Sequence, residues 1–257
     1  MTKSHTLFFT FMLISFLSSC KGGFKPLFDG ETLHGWTTAR SSGEGDYGPF
    51  SVNKEEKAIH VYAGQEDESE QLSDVLYTDK EYSHFILKLE YKWLEKKFSP
   101  RIDWDRDSGL LFHIHGDLTQ VWPYCIEMQI GESPANKPNK RGAEGRFHSG
   151  DLFVIGKGLS TETRRNKNKY YEPTQEPMRG RSVFATSGTE KKGEWNQMEL
   201  HVYGDKKAVF ILNDEVVLET ANFEYNGNPI GKGRIGLQAE WAEILFRNIE
   251  IKELPIE

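Results

Sequence analysis

The chain has 257 residues, with 39 acidic against 32 basic side chains, a formal net charge of −7, and only two cysteines. The cations are scattered, which argues against a nucleic-acid surface, and two cysteines build no disulfide framework. A body of roughly 235 residues must therefore be held by one apolar core.

The predicted elements begin with a leader. Lys3 and His5 precede an apolar run from Leu7 to Leu17, too short to span a bilayer and suited to a signal-peptide core. The run ends in Leu17-Ser18-Ser19-Cys20, which resembles the bacterial lipobox, whose cysteine is acylated and becomes the first mature residue. Residues 1–20 are therefore read as a lipoprotein signal and Cys20 as the lipidation site; an ordinary cleaved signal is the alternative. Several acyl chains would hold the protein firmly where one binds only marginally. Lys21-Gly22-Gly23 lacks an acidic export tag, so the expectation is a periplasm-facing anchor in the bacterial cell envelope. Cys125 is left without a partner.

After the leader come short alternating runs separated by Gly, Asn, Asp and Pro. Gly64 to Gln71 is an acidic insertion. Phe85, Leu87, Leu89, Tyr91 and Trp93 alternate with Ile86, Lys88, Glu90 and Lys92, a strand with one buried face. In Leu110-Leu111-Phe112-His113-Ile114-His115, alternation assigns Leu110, Phe112 and Ile114 to the core and both histidines to the other face. In the run from Tyr124 to Ile130, Ile126, Met128 and Ile130 supply the core, and Cys125, Glu127 and Gln129 the opposite face. Gly131 to Gly150 is long, polar and rich in Pro and Gly, the kind of loop that walls a groove. The basic run from Arg164 to Lys169 is read as a solvated loop tip. Met198, Leu200 and Val202 form another strand. Ala208 to Leu212, Asn213-Asp214 and Val216 to Leu218 read as a hairpin, since Asn and Asp tolerate left-handed backbone. Ile235, Leu237 and Ala239 alternate with Gly236, Gln238 and Glu240. The last strand runs from Ile244 to Ile251, with a bulge predicted at Asn248.

There is no internal repeat and no convincing helix of three turns. The pattern predicts a single all-β domain over residues 24–255, a two-sheet antiparallel jelly-roll sandwich.

Several segments, in order, resemble one family. Phe28-Asp29-Gly30-Glu31-Thr32-Leu33-His34-Gly35-Trp36 is similar to the LFDGKTLxGW opening of the family once called domain of unknown function 1080, now described as 3-keto-disaccharide (3-keto-glycoside) hydrolases. Asp107-Ser108-Gly109-Leu110-Leu111-Phe112 resembles its NSGIFF segment, and Ile126-Glu127-Met128-Gln129-Ile130 its YEVQI strand. Gly150-Asp151-Leu152-Phe153 is similar to a GD-aromatic segment, Glu194-Trp195-Asn196 to EWN, and Gly236-Leu237-Gln238-Ala239-Glu240 with Phe246-Arg247-Asn248-Ile249 to GLQSE…FRNI. The resemblance implies a concanavalin A-like sandwich of the lectin and glucanase type. It also implies an enzyme of carbohydrate metabolism that cleaves 3-keto-glycosides. Two departures stand out: His113 and His115 where many relatives carry Arg, and Trp241 in place of a small residue.

A ketone at C3 acidifies the C2 proton, and the C1 glycosidic oxygen lies beta to that carbonyl. Removal of the proton lets the aglycone leave, and water then adds to the enone. This chemistry needs a base, an acid and a stabiliser of the enolate oxygen. Glu127 is the first choice as base, against a purely structural acceptor role; Glu240 is the second carboxylate, against a solvated strand residue. His113 is the candidate acid. His115, Gln129, Gln238, Arg247, Asp107, Asp151, Trp122, Arg146 and His148 are the candidate substrate-binding set. His113 and His115, roughly 7 Å apart along a strand, could also bind a divalent metal if a third ligand came across the sheet. No further cofactor is implied, and the metal and the oligomeric state stay open. The competing readings are a non-catalytic carbohydrate-binding jelly roll and a retaining glycosidase. The second is disfavoured, since Glu127-Met128-Gln129 lacks the E-x-D-x-x-E signature of jelly-roll glucanases.

Overall fold

The computed structural model describes residues 23–43, 45–132, 148–163, 170–171 and 189–256, and every regular element among them is a strand. The first five are short: β1 (Lys25–Pro26), β2 (Trp36–Thr38), β3 (Phe50–Asn53), β4 (Ala58–Val61) and β5 (Asp74–Thr78). Then follow β6 (His84–Lys97), β7 (Asp107–His115), β8 (Tyr124–Gly131), β9 (Leu152–Ile155), β10 (Leu159–Thr163) and β11 (Tyr170–Tyr171). The last are β12 (Asn196–Tyr203), β13 (Lys207–Leu212), β14 (Glu215–Tyr225), β15 (Asn228–Pro229), β16 (Arg234–Ala239) and β17 (Ala242–Glu253). Six form one sheet in the order β2-β5-β16-β7-β8-β9. The larger sheet runs β11-β10-β14-β13-β12-β6-β17-β4-β3, with β1 added to β17 and β15 to β14. Late strands β16 and β17 insert between early ones in each sheet, which gives the jelly-roll sandwich that the alternation predicts.

The core lies between the sheets. Phe85, Leu87, Leu89 and Tyr91 of β6 belong to the same buried cluster as Phe112 of β7, Ile126 and Met128 of β8 and Leu237 of β16. Strand β6 alternates between buried and half-buried residues, as expected of a sheet with one solvated face. Strands β7, β8 and β16 do not: nearly every residue is buried on both faces. The smaller sheet is therefore closed over on its outer side as well, and that second face carries the polar groups.

The predicted hairpin and bulge are both present. Asn213 and Asp214 take positive φ (47° and 68°) between β13 and β14. At Asn248, φ is 51° and the register of β17 against β6 shifts between Arg247 and Glu250. Cys125 is buried and unpaired. Cys20, Arg146 and the basic run from Arg164 to Lys169 lie outside the described residues.

The phase of β7 differs from the expectation after Phe112. His113 has φ 52°, and the β7–β8 register shifts between Phe112 and His115. Strict alternation fails across this bulge. His113 turns into the sandwich, its ring 5.2 Å from that of Phe223 and its Nε2 3.1 Å from the Gly204 carbonyl. Ile114 takes the outer face instead, beside Val75, Tyr77 and Leu111. Burial lowers the His113 pKa from 6.5 to about 4, so its ring is neutral at neutral pH. The unfolded chain then binds the proton first, and stability is lost as pH falls from 6.5 towards 4. The loss amounts to at most about 3 kcal/mol. Replacing His113 by Asn, which tolerates positive φ, is expected to flatten this acid-side slope in denaturant unfolding between pH 7 and 5.

Candidate active site

The outer face of the smaller sheet grades from apolar to polar along its strands. At one end lie Ile114, Cys125 and Ile155, with Trp122 packed against them. The next row across the sheet is Tyr77, Gly236, Leu111, Glu127 and Phe153. One step further, Val75 pairs with Gln238 and Gly109 with Gln129, while the Leu237–Leu110 pair sets Gln238 beside Gly109. Beyond these come Asp107, at the start of β7, and Glu240, just past the end of β16.

Gly109 is what lets the middle of this array form. A Cβ there would collide with Glu127 Oε1 and Gln238 Oε1, so both side chains lie over the bare backbone. Gly109→Ala is expected to displace the Glu127 carboxyl and lower turnover by about 10²-fold. Overpacking adds a stability loss of about 1–3 kcal/mol, read by thermal unfolding.

Glu127 is 3% exposed and Gln238 1%, and the two side chains lie together against Gly109. Burial pushes the Glu127 carboxyl well above the usual range; Glu240 and Asp151 add to this, while Gln238 and Arg101 oppose it. Asp107 is likewise pushed well up, first by burial and then by Glu240, with which it shares a hydrogen bond. Arg101 is the counter-charge: its Nη1 lies 2.9 Å from Asp107 Oδ2 and 2.5 Å from Glu240 Oε1. The guanidinium is stacked between Trp104 and Trp241, 4.5 and 4.3 Å from the ring centroids. Trp241 is anchored in turn, its Nε1 donating to the Gln71 carbonyl (2.7 Å) and its backbone N–H to the Tyr62 hydroxyl (3.2 Å). The end of the acidic insertion thus helps hold the arginine in place. Gln129 Nε2 donates to the Ser108 carbonyl (2.7 Å) and reaches Asp107 Oδ1 at 3.5 Å.

The structure brings together Asp107, Glu127, Gln129, Gln238 and Glu240. Asp151 borders them: its carbonyl accepts from Gln129 N (2.9 Å), and His148 N donates to its Oδ2 (3.0 Å). Trp122 belongs to the apolar half of the same face. Three expectations need correction. His113 is on the wrong side of its sheet, so it is no acid for this cluster. His115 packs between Tyr124 and Tyr225, with Nδ1 against the His113 carbonyl at 2.8 Å, away from the carboxyls. Arg247 sits on the outer face of the larger sheet, where Nε bonds Glu90 at 2.8 Å. Among the described residues no group of three His, Cys, Asp or Glu side chains is placed to hold a metal ion.

Arg101 and Trp104 escaped the sequence reading. They lie in the irregular segment between β6 and β7, where no period marks a face; the Arg/Trp/Asp mixture just before Asp107 is the only signal.

Buried carboxyls, amides and a guanidinium on one sheet face of a jelly-roll sandwich form a site suited to a glycoside-acting, hydrolase-like domain. The chain belongs to the family of 3-keto-alpha-glucoside-1,2-lyase-like domains, whose description matches residues 23–252. In fold it is similar to a candidate glycosyl hydrolase of Parabacteroides distasonis ATCC 8503. That pair shares 18% identity over 91% of this chain and 94% of that one, with a TM-score of 0.55. A second such protein from the same organism shares 20% identity over 90% of this chain and 100% of that one, with a TM-score of 0.50. At these identities the likeness establishes the fold alone. A comparison with curated proteins found no match.

Proposed function

We propose that the chain is a lipid-anchored enzyme of the bacterial envelope, facing the periplasm, that cleaves 3-keto-glycosides by elimination and hydration. The carrying observation is a pair of carboxyls in unlike settings on one face. Glu127 is buried, which raises its proton affinity well above that of an ordinary glutamate; Glu240 is ion-paired with Arg101. Such a split separates acid from base. Burial favours the protonated form of Glu127, which suits it to the acid's role, so the base expected of it passes to Glu240. In this reading Glu240 takes the C2 proton, and Glu127 protonates the glycosidic oxygen as the C1–O bond breaks. Arg101 is the cation available to the enolate oxygen at C3. Water then adds across the enone, its proton going to C2 and its oxygen to C1. Gln129 and Gln238 are the amides nearest to bind hydroxyls, with Trp122 and Phe153 as the apolar margin.

The test is aglycone release from a β-glucoside and from its 3-keto derivative, with and without chelator. Release from the keto compound alone supports the reading. Release from both compounds points to a glycosidase, and binding without release to a sugar-binding module; either result overturns it.

A further inference from the structure

Two signature segments, unused by this chemistry, meet on the far side of the sandwich. Asn196 pairs with Tyr91, so Trp195 leaves β12 beside Lys92 on the outer face of the larger sheet. On the next strand, Leu245 pairs with Lys92 and Arg247 with Glu90. The Trp195 ring reaches across: the Arg247 guanidinium carbon lies 3.8 Å from its centroid and Lys92 Nζ 4.7 Å. Both cations come from neighbouring strands of that sheet, β6 and β17. Arg247 is itself fixed by Glu90 at 2.8 Å and Glu56 at 3.8 Å, so the indole rests on a braced base. Trp195 is only half-buried. It borders a groove of about 470 Å³ lined also by Gln197, Asp214 and Lys191, all exposed. Through Glu90, Gln197 and Asp214 this groove joins a second one of about 300 Å³ between β6, β12 and β17.

A flat, supported aromatic beside planar amide and carboxylate side chains suits a ligand with an apolar ring face and hydroxyls at its edges. We propose that this groove is a second, non-catalytic binding site for an oligosaccharide chain, on the face opposite the acid cluster. It uses none of the residues assigned to the reaction and stands whether or not that assignment holds.

The test is retardation of the full-length chain in native gels containing laminarin, xylan, dextran or mannan. At least one polymer is expected to retard it. Glu127→Gln should leave retardation unchanged, and Trp195→Ala should weaken it about tenfold or more, the equivalent of one well-placed contact. Because Trp195→Ala also removes packing, the surface double variant Gln197→Ala/Asp214→Ala is run beside it and should weaken binding in the same direction. The proposal is overturned if no polymer retards the chain. It also falls if retardation is lost with Glu127→Gln or survives both groove variants.

Discussion

Glu127→Gln is expected to abolish turnover while making the protein harder to unfold. As the proposed acid, Glu127 contributes on the order of 10²–10⁴-fold to the rate, and the isosteric amide has no proton to give. The stability gain follows from the raised proton affinity of the buried carboxyl. Between the ordinary glutamate range and the raised folded value, the unfolded chain ionises while the folded one does not. Folding therefore retains a proton, and stability falls as pH rises. The amide carries no such linkage. The variant should match the parent near pH 4 and exceed it as pH rises above the ordinary glutamate range. Thermal unfolding at pH 5, 6.5 and 8 reads the slope directly. A gain that shrinks with rising pH would contradict the buried, protonated acid.

Arg101→Met is expected to act in the opposite direction and by more. The methionine can keep part of the stacking on Trp104 and Trp241 but removes the only cation in contact with Asp107 and Glu240 among the described residues. Two carboxyls that share a hydrogen bond then face each other in a site where Asp107 is 3% and Glu240 9% exposed. Removing one partner of a buried ion pair typically costs about 3–5 kcal/mol. The deficit should be largest at pH 8 and shrink towards pH 5, where protonation relieves the repulsion. Denaturant unfolding at the two pH values measures it. Turnover should fall as well, and Arg101→Lys, which restores charge without the planar stack, should recover stability better than activity. A loss independent of pH would mean that packing between the tryptophans, rather than charge, is the role of Arg101.

The candidate site was legible where the strands are regular. Alternation alone put Glu127, Gln129 and Gln238 on the face opposite Met128 and Leu237, because an uninterrupted strand sends every second side chain the same way. The same rule failed at His113, where a single residue at positive φ reverses the phase. Nothing in Phe112-His113-Ile114 distinguishes that bulge from plain alternation, since His and Ile are both acceptable on either face. Arg247 misled for a different reason: it alternates correctly with Phe246, but its strand is in the other sheet, and a two-sheet sandwich has two outward faces. Period two states which residues share a face, not which sheet owns it.

What the sequence determined by itself is the all-β character, the hairpin at Asn213-Asp214, the bulge at Asn248 and the polar nature of the strand faces. Each of these depends on neighbours within a few residues, through backbone preference and side-chain alternation. What only the tertiary structure decided is the meeting of Arg101, Asp107, Glu127 and Glu240. Their convergence requires β16, late in the chain, to insert beside β7 and a loop residue to be clamped between two tryptophans. The resulting proton affinities come from burial and from charges distant in sequence, quantities that no local pattern carries.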